Sequence, residues 1–542
     1  FEGEDMSPVF GADNNTVYFL SEKSGSFNVW KKAGSEFTQL TKLDTHPVRW
    51  LSMSSNGTMC FSYHGQIYTF KEGGEPVRLD IHSSSEKVSS RMRTMLGAVS
   101  EITVSPDGME VIAVLRGELY AFNPETGTTK RLTDTPREER WVSFHPEGRK
   151  ILYSAFRDGS WNIYEMTVEN KDEPYFFAST VVTEKPVIAN ESNTYQPSYS
   201  PDGKKIAYLK ERTDLVVYTI SKDEHKTVLP GDRNISYVDG DQFYKWSPDS
   251  SRIAVVFNDR DLWGGEIGIV PADGSEEVVN ITNTGTDDIN PEWNGTGTAL
   301  SWFNNGEIKA FFLNRAAFDE FNLTKEEFDI AKKIKDDAAA KKAPAKPGNP
   351  GKEQKPAKPV ELEKDDIDGR IVKISLNPAN VQDHLLSPDG ETLYFITNEP
   401  AEYRVSAITL REKKDRVIAS IPHPRNQFFW DAPGFELMID KSGANLFVLA
   451  EKRAYKIGTA DGKMKPAMPQ AEFSVDGTKE KQYLFEHVWK TVNDKFYVED
   501  MHNVDWKKFH DEYSRFIPHI NNNYDFAEMM SEMLGELNVS HT

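Results

Sequence analysis

Hydrophobic and polar residues alternate with a period of two along most of the chain. Residues 205–209, 252–256 and 392–396 are typical examples. Such alternation predicts short β-strands with one buried face. A turn signature precedes each of these stretches: an apolar or aromatic residue, then Ser-Pro-Asp-Gly or a degraded version of it. Because proline presets φ at the first turn position and Asp-Gly accepts positive φ, the signature predicts a tight hairpin.

The turn signature recurs nine times. Clear copies have their turn position at residues 108, 148, 203, 250 and 390, and weaker copies at residues 14, 57, 295 and 443. Most of these positions lie 40 to 55 residues apart. Four short strands fit into such a spacing, which is the size of a β-propeller blade. The sequence therefore predicts a mainly β fold built from propeller blades.

Nine blades exceed the four to eight that usually form one propeller. We therefore expect two propellers, separated near residues 81–99, where the polar segment 83–93 is weakly patterned. Residues 1–82 are predicted to be the last two blades of an N-terminal propeller whose earlier blades lie upstream of Phe1. Residues 90–475 are predicted to form a closed seven-bladed propeller.

An insertion explains the doubled spacing between residues 295 and 390, and we place it at about residues 316–365. Thr324 and Glu327 have the spacing of a capping box, which predicts the start of a helix. Residues 338–359 consist mainly of Ala, Lys and Pro with almost no large apolar side chain. This composition predicts a solvated linker without fixed structure.

The last part of the chain, residues 480–542, changes from strand to helix periodicity near Gly477. Phe485, Val488 and Trp489 predict one amphipathic helix. Two further helices are predicted to start at the N-caps Asp505 and Asp525. The fold class expected for the whole chain is therefore mainly β, with a small helical region at the end.

Composition excludes several classes of function. The 542 residues include 85 acidic residues against 64 Lys and Arg, which gives a net charge of −21. Such a chain repels phosphate, so we predict no nucleic-acid partner. No apolar run reaches the roughly 18 residues of a membrane-spanning helix, so we predict no membrane partner. Cys60 is the single cysteine, which excludes an internal disulfide.

The histidines of the helical region do not have metal-ligand spacing. No HExxH or similar pattern joins His487, His502, His510 and His519. We therefore predict no metal site and no cofactor.

A resemblance at the level of individual residues appears in the helical region. The matching positions are Trp489, Phe496-Tyr497, Val504-Asp505-Trp506, Tyr513, Met533-Leu534, Leu537 and the terminal Ser540-His541-Thr542. They resemble the start of the catalytic core of tricorn protease and its bacterial homologues. Residues 1–5 and 24–30 resemble late blades of that family's six-bladed propeller, and residues 95–470 resemble its seven-bladed propeller. The resemblance implies that residues 480–542 are the helical N-terminal part of a tricorn-type catalytic core, truncated here.

Tricorn-like proteins are serine peptidases, so the resemblance implies roles for two residues. His541 matches the general base, and Ser540 matches a residue that helps to link this histidine to an acidic group. Adjacent residues of an extended segment point to opposite faces, so Ser540 is not expected to be the nucleophile. The resemblance implies that the nucleophilic serine and the orienting acid lie in later parts of the core. This chain alone is therefore expected to be inactive.

The resemblance also implies partners and a location. Peptides are the expected substrates, with the propellers gating their access and the exit of products. The full-length protein is expected to form a homo-oligomer. A cytoplasmic location is expected from archaeal members of the family, and a periplasmic or exported one from bacterial relatives.

Two other functions compete with this hypothesis. A non-catalytic β-propeller that binds and scaffolds proteins fits the repeats equally well. A prolyl-oligopeptidase-like enzyme also joins a propeller to a hydrolase, but it needs a Gly-x-Ser-x-Gly nucleophile elbow, and this sequence has none. The helical residues from Trp489 to His541 favour the tricorn-like peptidase.

Overall fold

The computed structural model of the chain divides into two compact units, Phe1–Val88 and Ser89–Thr542. The structure describes residues 3–82, 91–95, 98–190, 192–234, 236, 238–259, 264–342, 359, 361–375, 380–422, 435–469, 472–537 and 539. Each unit is described by itself below.

The first unit contains two four-stranded antiparallel sheets, here named blades A and B. Their strands are Asp5–Phe10, Thr16–Ser21, Asn28–Ala33 and Glu36–Gln39 in blade A, and Arg49–Met53, Met59–Tyr63, Gln66–Phe70 and Val77–Arg78 in blade B. Leu20 and Val29 of blade A pack with Phe61 and Phe70 of blade B in one hydrophobic cluster.

The second unit contains seven four-stranded sheets, named blades 1 to 7, each formed by consecutive strands. The strands of blades 1 to 4 are Glu101–Val104, Val111–Leu115, Glu118–Phe122, Thr129–Arg131; Glu139–His145, Gly148–Arg157, Ser160–Val168, Val182–Ile188; Thr194–Tyr199, Lys205–Lys210, Asp214–Thr219, Glu224–Leu229; Tyr244–Trp246, Arg252–Phe257, Glu266–Pro271, Val279–Asn280. Those of blades 5 to 7 are Asp288–Trp293, Ala299–Asn304, Glu307–Phe312, Ile371–Lys373; Val381–Leu386, Thr392–Asn398, Glu402–Thr409, Lys414–Pro422; Glu436–Ile439, Asn445–Ala450, Arg453–Gly458, Met464–Pro466. The mainly β, bladed fold class is confirmed.

Hydrophobic clusters join each blade to the next and close the ring. Tyr120 and Phe122 of blade 1 pack against Phe447 and Leu449 of blade 7, which brings the first and last blades together. Outside the blades, strand Arg91–Met95 pairs with strand Glu472–Asp476 in an antiparallel ribbon. The entry to the seven blades and the exit from them are therefore held side by side by backbone hydrogen bonds.

The turn signature lies between the first and second strands of every blade. In blade 1, the Ser105 hydroxyl donates to Asp107 (2.7 Å) and accepts from the Glu110 N–H (3.0 Å). Gly108 has a φ of 70°, as the predicted hairpin requires. In blade 2, His145 replaces the serine, and its Nδ1 accepts from the Glu147 N–H at 3.2 Å. The predicted hairpins are confirmed.

The insertion lies within blade 5, between strands Glu307–Phe312 and Ile371–Lys373, and it contains helices α1 (Arg315–Phe321) and α2 (Lys325–Lys342). The predicted capping box is present, because the Thr324 N–H donates to Glu327 (2.9 Å) and the Glu327 N–H donates to the Thr324 hydroxyl (3.3 Å). The prediction of an unstructured linker from residue 338 is wrong for residues 338–342, which continue α2. Alanine and lysine are good helix formers, and nothing before Pro344 stops the helix. Residues 343–358 lie outside the described residues.

Three helices follow the ribbon: α3 (Gly477–Lys495), α4 (Trp506–Ser514) and α5 (Asn523–Gly535). Asp505 caps α4 as predicted, accepting from the Lys508 N–H at 3.0 Å. The prediction that Asp525 caps the last helix is wrong, since Asn522 is the N-cap and accepts from the Asp525 N–H at 2.9 Å. Short 3₁₀ helices complete the chain: Phe176–Ala178, Ile220–Lys222, Gly231–Arg233, Asp368–Arg370, Met501–Asn503 and Ile517–His519.

A buried chain of polar groups links blades 1 and 2. Glu118 accepts from the Thr133 hydroxyl at 2.6 Å, and the Thr135 hydroxyl donates to Glu139 at 3.0 Å. Glu139 is fully buried, and its other carboxylate oxygen has no hydrogen-bond partner among the described residues. Burial, with the charge of Glu118 adding to it, raises the pKa of Glu139 to about 8. The protein therefore favours the neutral form of this carboxyl group.

We expect Glu139→Gln to stabilise the protein above pH 8. Because the folded-state pKa is raised, the stability that the neutral carboxyl group provides is complete below about pH 4.5 and is lost as the pH rises through about 8. Glutamine does not ionise, so the stability of the variant relative to wild type should rise between these pH values by up to about 5 kcal/mol. Melting temperatures from pH 5 to pH 9 check this.

Glu184→Gln is the matched control, since Glu184 bonds Arg157 at 2.6 Å, and Arg157 also lies 3.4 Å from Glu139. Although burial opposes it, the hydrogen bond from Arg157 lowers the pKa of Glu184. This substitution should therefore destabilise the protein at pH 7 and above. A pH-independent difference between wild type and Glu139→Gln would contradict the prediction.

Candidate functional site

One position of the blade repeat surrounds the axis of the seven-bladed propeller. It lies on or beside the first strand, four residues before the serine of the turn signature or the residue that replaces it. We name these seven residues the axial ring. In blades 1 to 7 they are Glu101, Trp141, Gln196, Phe243, Asn290, Asp383 and Glu436.

The backbone is unusual at this position. Trp141, Gln196 and Asn290 have φ values of 54°, 48° and 56°, and the pairing register of the first strand shifts beside each of them. Ser7 of blade A and Trp50 of blade B have φ values of 50° and 59° at the corresponding position. Positive φ at residues other than glycine costs energy, and β-bulges commonly redirect side chains beside functional sites. The repeat therefore keeps a bulge where the first strand of a blade lines the axis.

A cavity of about 560 Å³ lies between the first strands of all seven blades. Every member of the axial ring except Glu101 lines it, and blade 1 contributes Ser100. Lys245 and Glu292, two residues further along their strands, also line the cavity and form an ion pair at 2.6 Å. Because every blade contributes, this cavity is the axial channel of the propeller.

Hydrogen bonds between neighbouring blades hold the ring side chains in place. Asp383 accepts from the Asn290 side chain of blade 5 (2.5 Å) and from the Leu437 N–H of blade 7 (2.7 Å), so it joins three blades. Glu101 of blade 1 accepts from the Trp141 N–H (2.5 Å) of blade 2. These contacts fix the channel wall before any ligand arrives.

Burial and mutual repulsion shift the pKa values of two ring carboxyl groups. Burial raises the pKa of Asp383 to about 7, and the charge of Glu292 adds to this shift. Burial likewise raises the pKa of Glu436 to about 8, with the charges of Glu101 and Asp383 adding to it. Both groups therefore titrate near neutral pH, and a cation in the channel would favour their ionised forms.

The helices α3 to α5 form a second candidate region. Phe485, Met533 and Leu537 are buried in their common core, and Val539 packs against it. The indole N–H of Trp489 donates to the Trp506 carbonyl at 3.0 Å, and the Trp506 indole donates back to the Trp489 carbonyl at 3.1 Å. This reciprocal pair joins α3 to the start of α4. The end of α5 packs on the core that these helices share.

The predicted site residues Ser540 and His541 lie outside the described residues, so their geometry does not enter the site. Three other histidines of the region, His487, His502 and His510, contact neighbouring side chains. The ring centre of His487 lies 4.9 Å from that of Phe156, and burial lowers its pKa. His510 contacts Glu486 at 3.0 Å, and His502 contacts the Tyr497 hydroxyl at 2.6 Å.

Known proteins resemble both the helical region and the whole chain. The family model for the Tricorn protease C1 domain matches residues 478–535, which cover α3 to α5. Together with the relatives described next, this match supports a tricorn-like family for the chain. The protein named as a Tricorn-like protease C-terminal subunit in Sulfurisphaera tokodaii is 21% identical to this tricorn-like chain, over 97% of the chain and 58% of that protein.

Two further comparisons cover nearly the whole tricorn-like chain. A Tricorn protease homolog of Saccharolobus solfataricus is 20% identical over 97% of the chain and 47% of that protein. The crystal structure of the tricorn protease superposes with a TM-score of 0.74 and 13% identity, over 99% of this chain and 50% of that one. The tricorn-like chain therefore spans about half the length of these relatives.

Among the described residues of the tricorn-like chain, no helix is long and apolar enough to cross a membrane.

Sequence reasoning missed the axial ring. Its members differ in chemistry, from Trp141 to Glu436, so no residue type marks the position. The signal that identifies it is a constant distance of four residues from the turn signature. Once a repeat is recognised, aligning its copies by the turn shows which side chains share one place around the axis.

Proposed function

We propose that this chain is the propeller and early-core part of a tricorn-like peptidase that degrades peptides. The match of residues 478–535 to the Tricorn protease C1 domain supports this proposal most strongly. The relatives named as tricorn-like proteases support it along 97% of the chain. Because the chain spans about half of their length, residues outside it are part of the proposed enzyme.

The seven-bladed propeller is proposed to gate peptides. Solvent reaches the axial channel, since Phe243, a ring side chain that lines it, is 42% exposed. A channel with a fixed wall admits an extended chain and excludes a folded domain. The propeller of blades A and B is proposed to belong to a second gate, through which products leave.

We assign the general base of the reaction to His541. Acyl transfer requires a hydroxyl nucleophile, an imidazole that removes its proton, and a group that orients the imidazole. His541 would take the proton from a serine outside this chain and return it to the leaving amine. Ser540 would help to orient His541 through a hydrogen bond to an acidic residue. A homo-oligomer of the full-length protein is part of the same proposal.

Hydrolysis of fluorogenic peptides by the product of the complete gene tests the proposed function. We expect turnover that a serine-directed inhibitor blocks, and no turnover by the purified chain 1–542, because the proposed nucleophile lies outside it. Peptide binding without hydrolysis by the complete protein would favour the scaffold hypothesis. Inhibitor-sensitive hydrolysis by the chain 1–542 alone would overturn the assignment of the nucleophile to a residue outside it.

A further inference from the structure

The acidic members of the axial ring are not spread evenly. Glu101, Asp383 and Glu436 come from blades 1, 6 and 7, which are neighbours in the closed ring. We name these three residues the acidic arc. The rest of the ring is uncharged, and Trp141 and Phe243 supply aromatic surface. The channel therefore has two neighbouring acidic groups, Asp383 and Glu436, opposite an aromatic and amide side, on which Asp241 also lines the cavity and accepts from the Val238 N–H at 3.0 Å.

The basic residues near the channel do not balance the acidic arc. Among the described residues that line the cavity, Lys245 is the basic one, and Glu292 already binds it at 2.6 Å. Arg140 binds Glu101 at 3.0 Å. Asp383 accepts hydrogen bonds from three uncharged donors, the Asn290 side chain and the His384 and Leu437 N–H groups. The charge of Lys245 only partly offsets the burial that raises the pKa values of Asp383 and Glu436. One further positive charge in the cavity would therefore interact favourably with these two residues.

The opposite side of the channel suits the stem of a long cationic side chain. Trp141 of blade 2 and Phe243 of blade 4 line the cavity, and Phe243 is 42% exposed. The wall already contains one contact of this kind, since the guanidinium of Arg140 lies 4.5 Å from the centre of the Trp141 ring. Aromatic faces attract cations and also pack against methylene groups.

We propose that the axial channel selects peptides that carry lysine or arginine, with the cation held between Asp383 and Glu436 and the aliphatic stem against the aromatic side. The inference rests on the proposed function, because it assumes that peptides enter this channel. It adds to the proposed function a selection of basic side chains in the axial channel, away from the catalytic residues. The selection precedes the chemical step and belongs to the propeller.

Binding of labelled peptides to the chain 1–542 tests the inference without hydrolysis. The probes are fluorescein-labelled octapeptides that differ at two central positions, which are lysine, norleucine or glutamate. In 0.15 M NaCl we expect the lysine peptide to bind about tenfold more tightly than the norleucine peptide, and the glutamate peptide to bind most weakly. Raising NaCl to 0.5 M should weaken the binding of the lysine peptide and leave the binding of the norleucine peptide nearly unchanged.

Glu436→Gln should reduce the affinity for the lysine peptide about fivefold and leave the norleucine peptide unchanged. The matched control is Glu224→Gln, at an exposed position on the outer strand of blade 3, which should leave both affinities unchanged. This control separates binding in the channel from the nonspecific attraction of a basic peptide to a chain with a net charge of −21.

Equal binding of the lysine and norleucine peptides would overturn the charge selection, and so would equal effects of the two substitutions. The peptidase proposal would survive either result, because the hydrolysis assay tests it independently. The salt dependence of the wild-type chain still decides the question if Glu436→Gln fails to fold.

Discussion

Replacing His541 by alanine in the product of the complete gene is expected to abolish peptide hydrolysis while the protein stays folded. The general base accepts the proton of the attacking hydroxyl, and the members of such a catalytic set act as one unit. Loss of one member typically removes several orders of magnitude of rate. Initial rates with a fluorogenic peptide, for wild type and variant at equal concentration, measure the effect.

Two controls accompany His541→Ala. Ser540→Ala should cost less activity, because the proposed role of Ser540 is to orient the histidine. His519→Ala should leave the rate close to that of wild type, since His519 is an exposed residue of the same helical region. Full activity of His541→Ala would refute its assignment as the general base. Equal losses in all three variants would show that the region responds to any substitution.

The blade repeat could be predicted because its information is local. Ser105, Pro106, Asp107 and Gly108 form a turn that is stable through contacts among these residues themselves, and four other copies keep the same pattern nearly intact. The alternation of the next strand then fixes which side chains are buried. Turn and strand together determine the hairpin, so counting hairpins gave the number of blades.

Features that depend on contacts between blades could not be predicted. The hydrogen bonds that hold Asp383 come from Asn290 and Leu437 in two other blades, 93 and 54 residues away in sequence. The N-cap of α5 was also predicted wrongly, because its position depends on the structure that precedes it. Asn522 and Asp525 are both good capping residues, and the choice between them follows from where the preceding 3₁₀ helix, Ile517–His519, ends.

The return of the chain from the insertion to blade 5 depends on one buried charge. Arg370, 1% exposed, lies directly before the last strand of that blade, Ile371–Lys373. Its guanidinium donates to the carbonyl oxygens of Phe312 (2.7 Å), Glu363 (2.7 Å) and Asp365 (2.8 Å). The ring centre of Phe311 lies 4.9 Å from it. A single side chain thus joins the end of strand Glu307–Phe312 to the irregular backbone that precedes Ile371–Lys373.

Arg370→Met is therefore expected to destabilise blade 5 by about 3 kcal/mol or more, since each buried carbonyl group without a donor costs roughly 1–3 kcal/mol. Hydrogen exchange of residues 361–373 and the thermal unfolding of the chain measure the loss. Arg315→Met is the matched control: Arg315 is 58% exposed, and its ion pair with Asp319 (3.2 Å) should contribute about 0.5 kcal/mol. If both substitutions leave exchange in residues 361–373 unchanged, these residues are held by apolar contacts such as that of Ile371 in the blade 4–5 cluster, and Arg370 is not what fixes them.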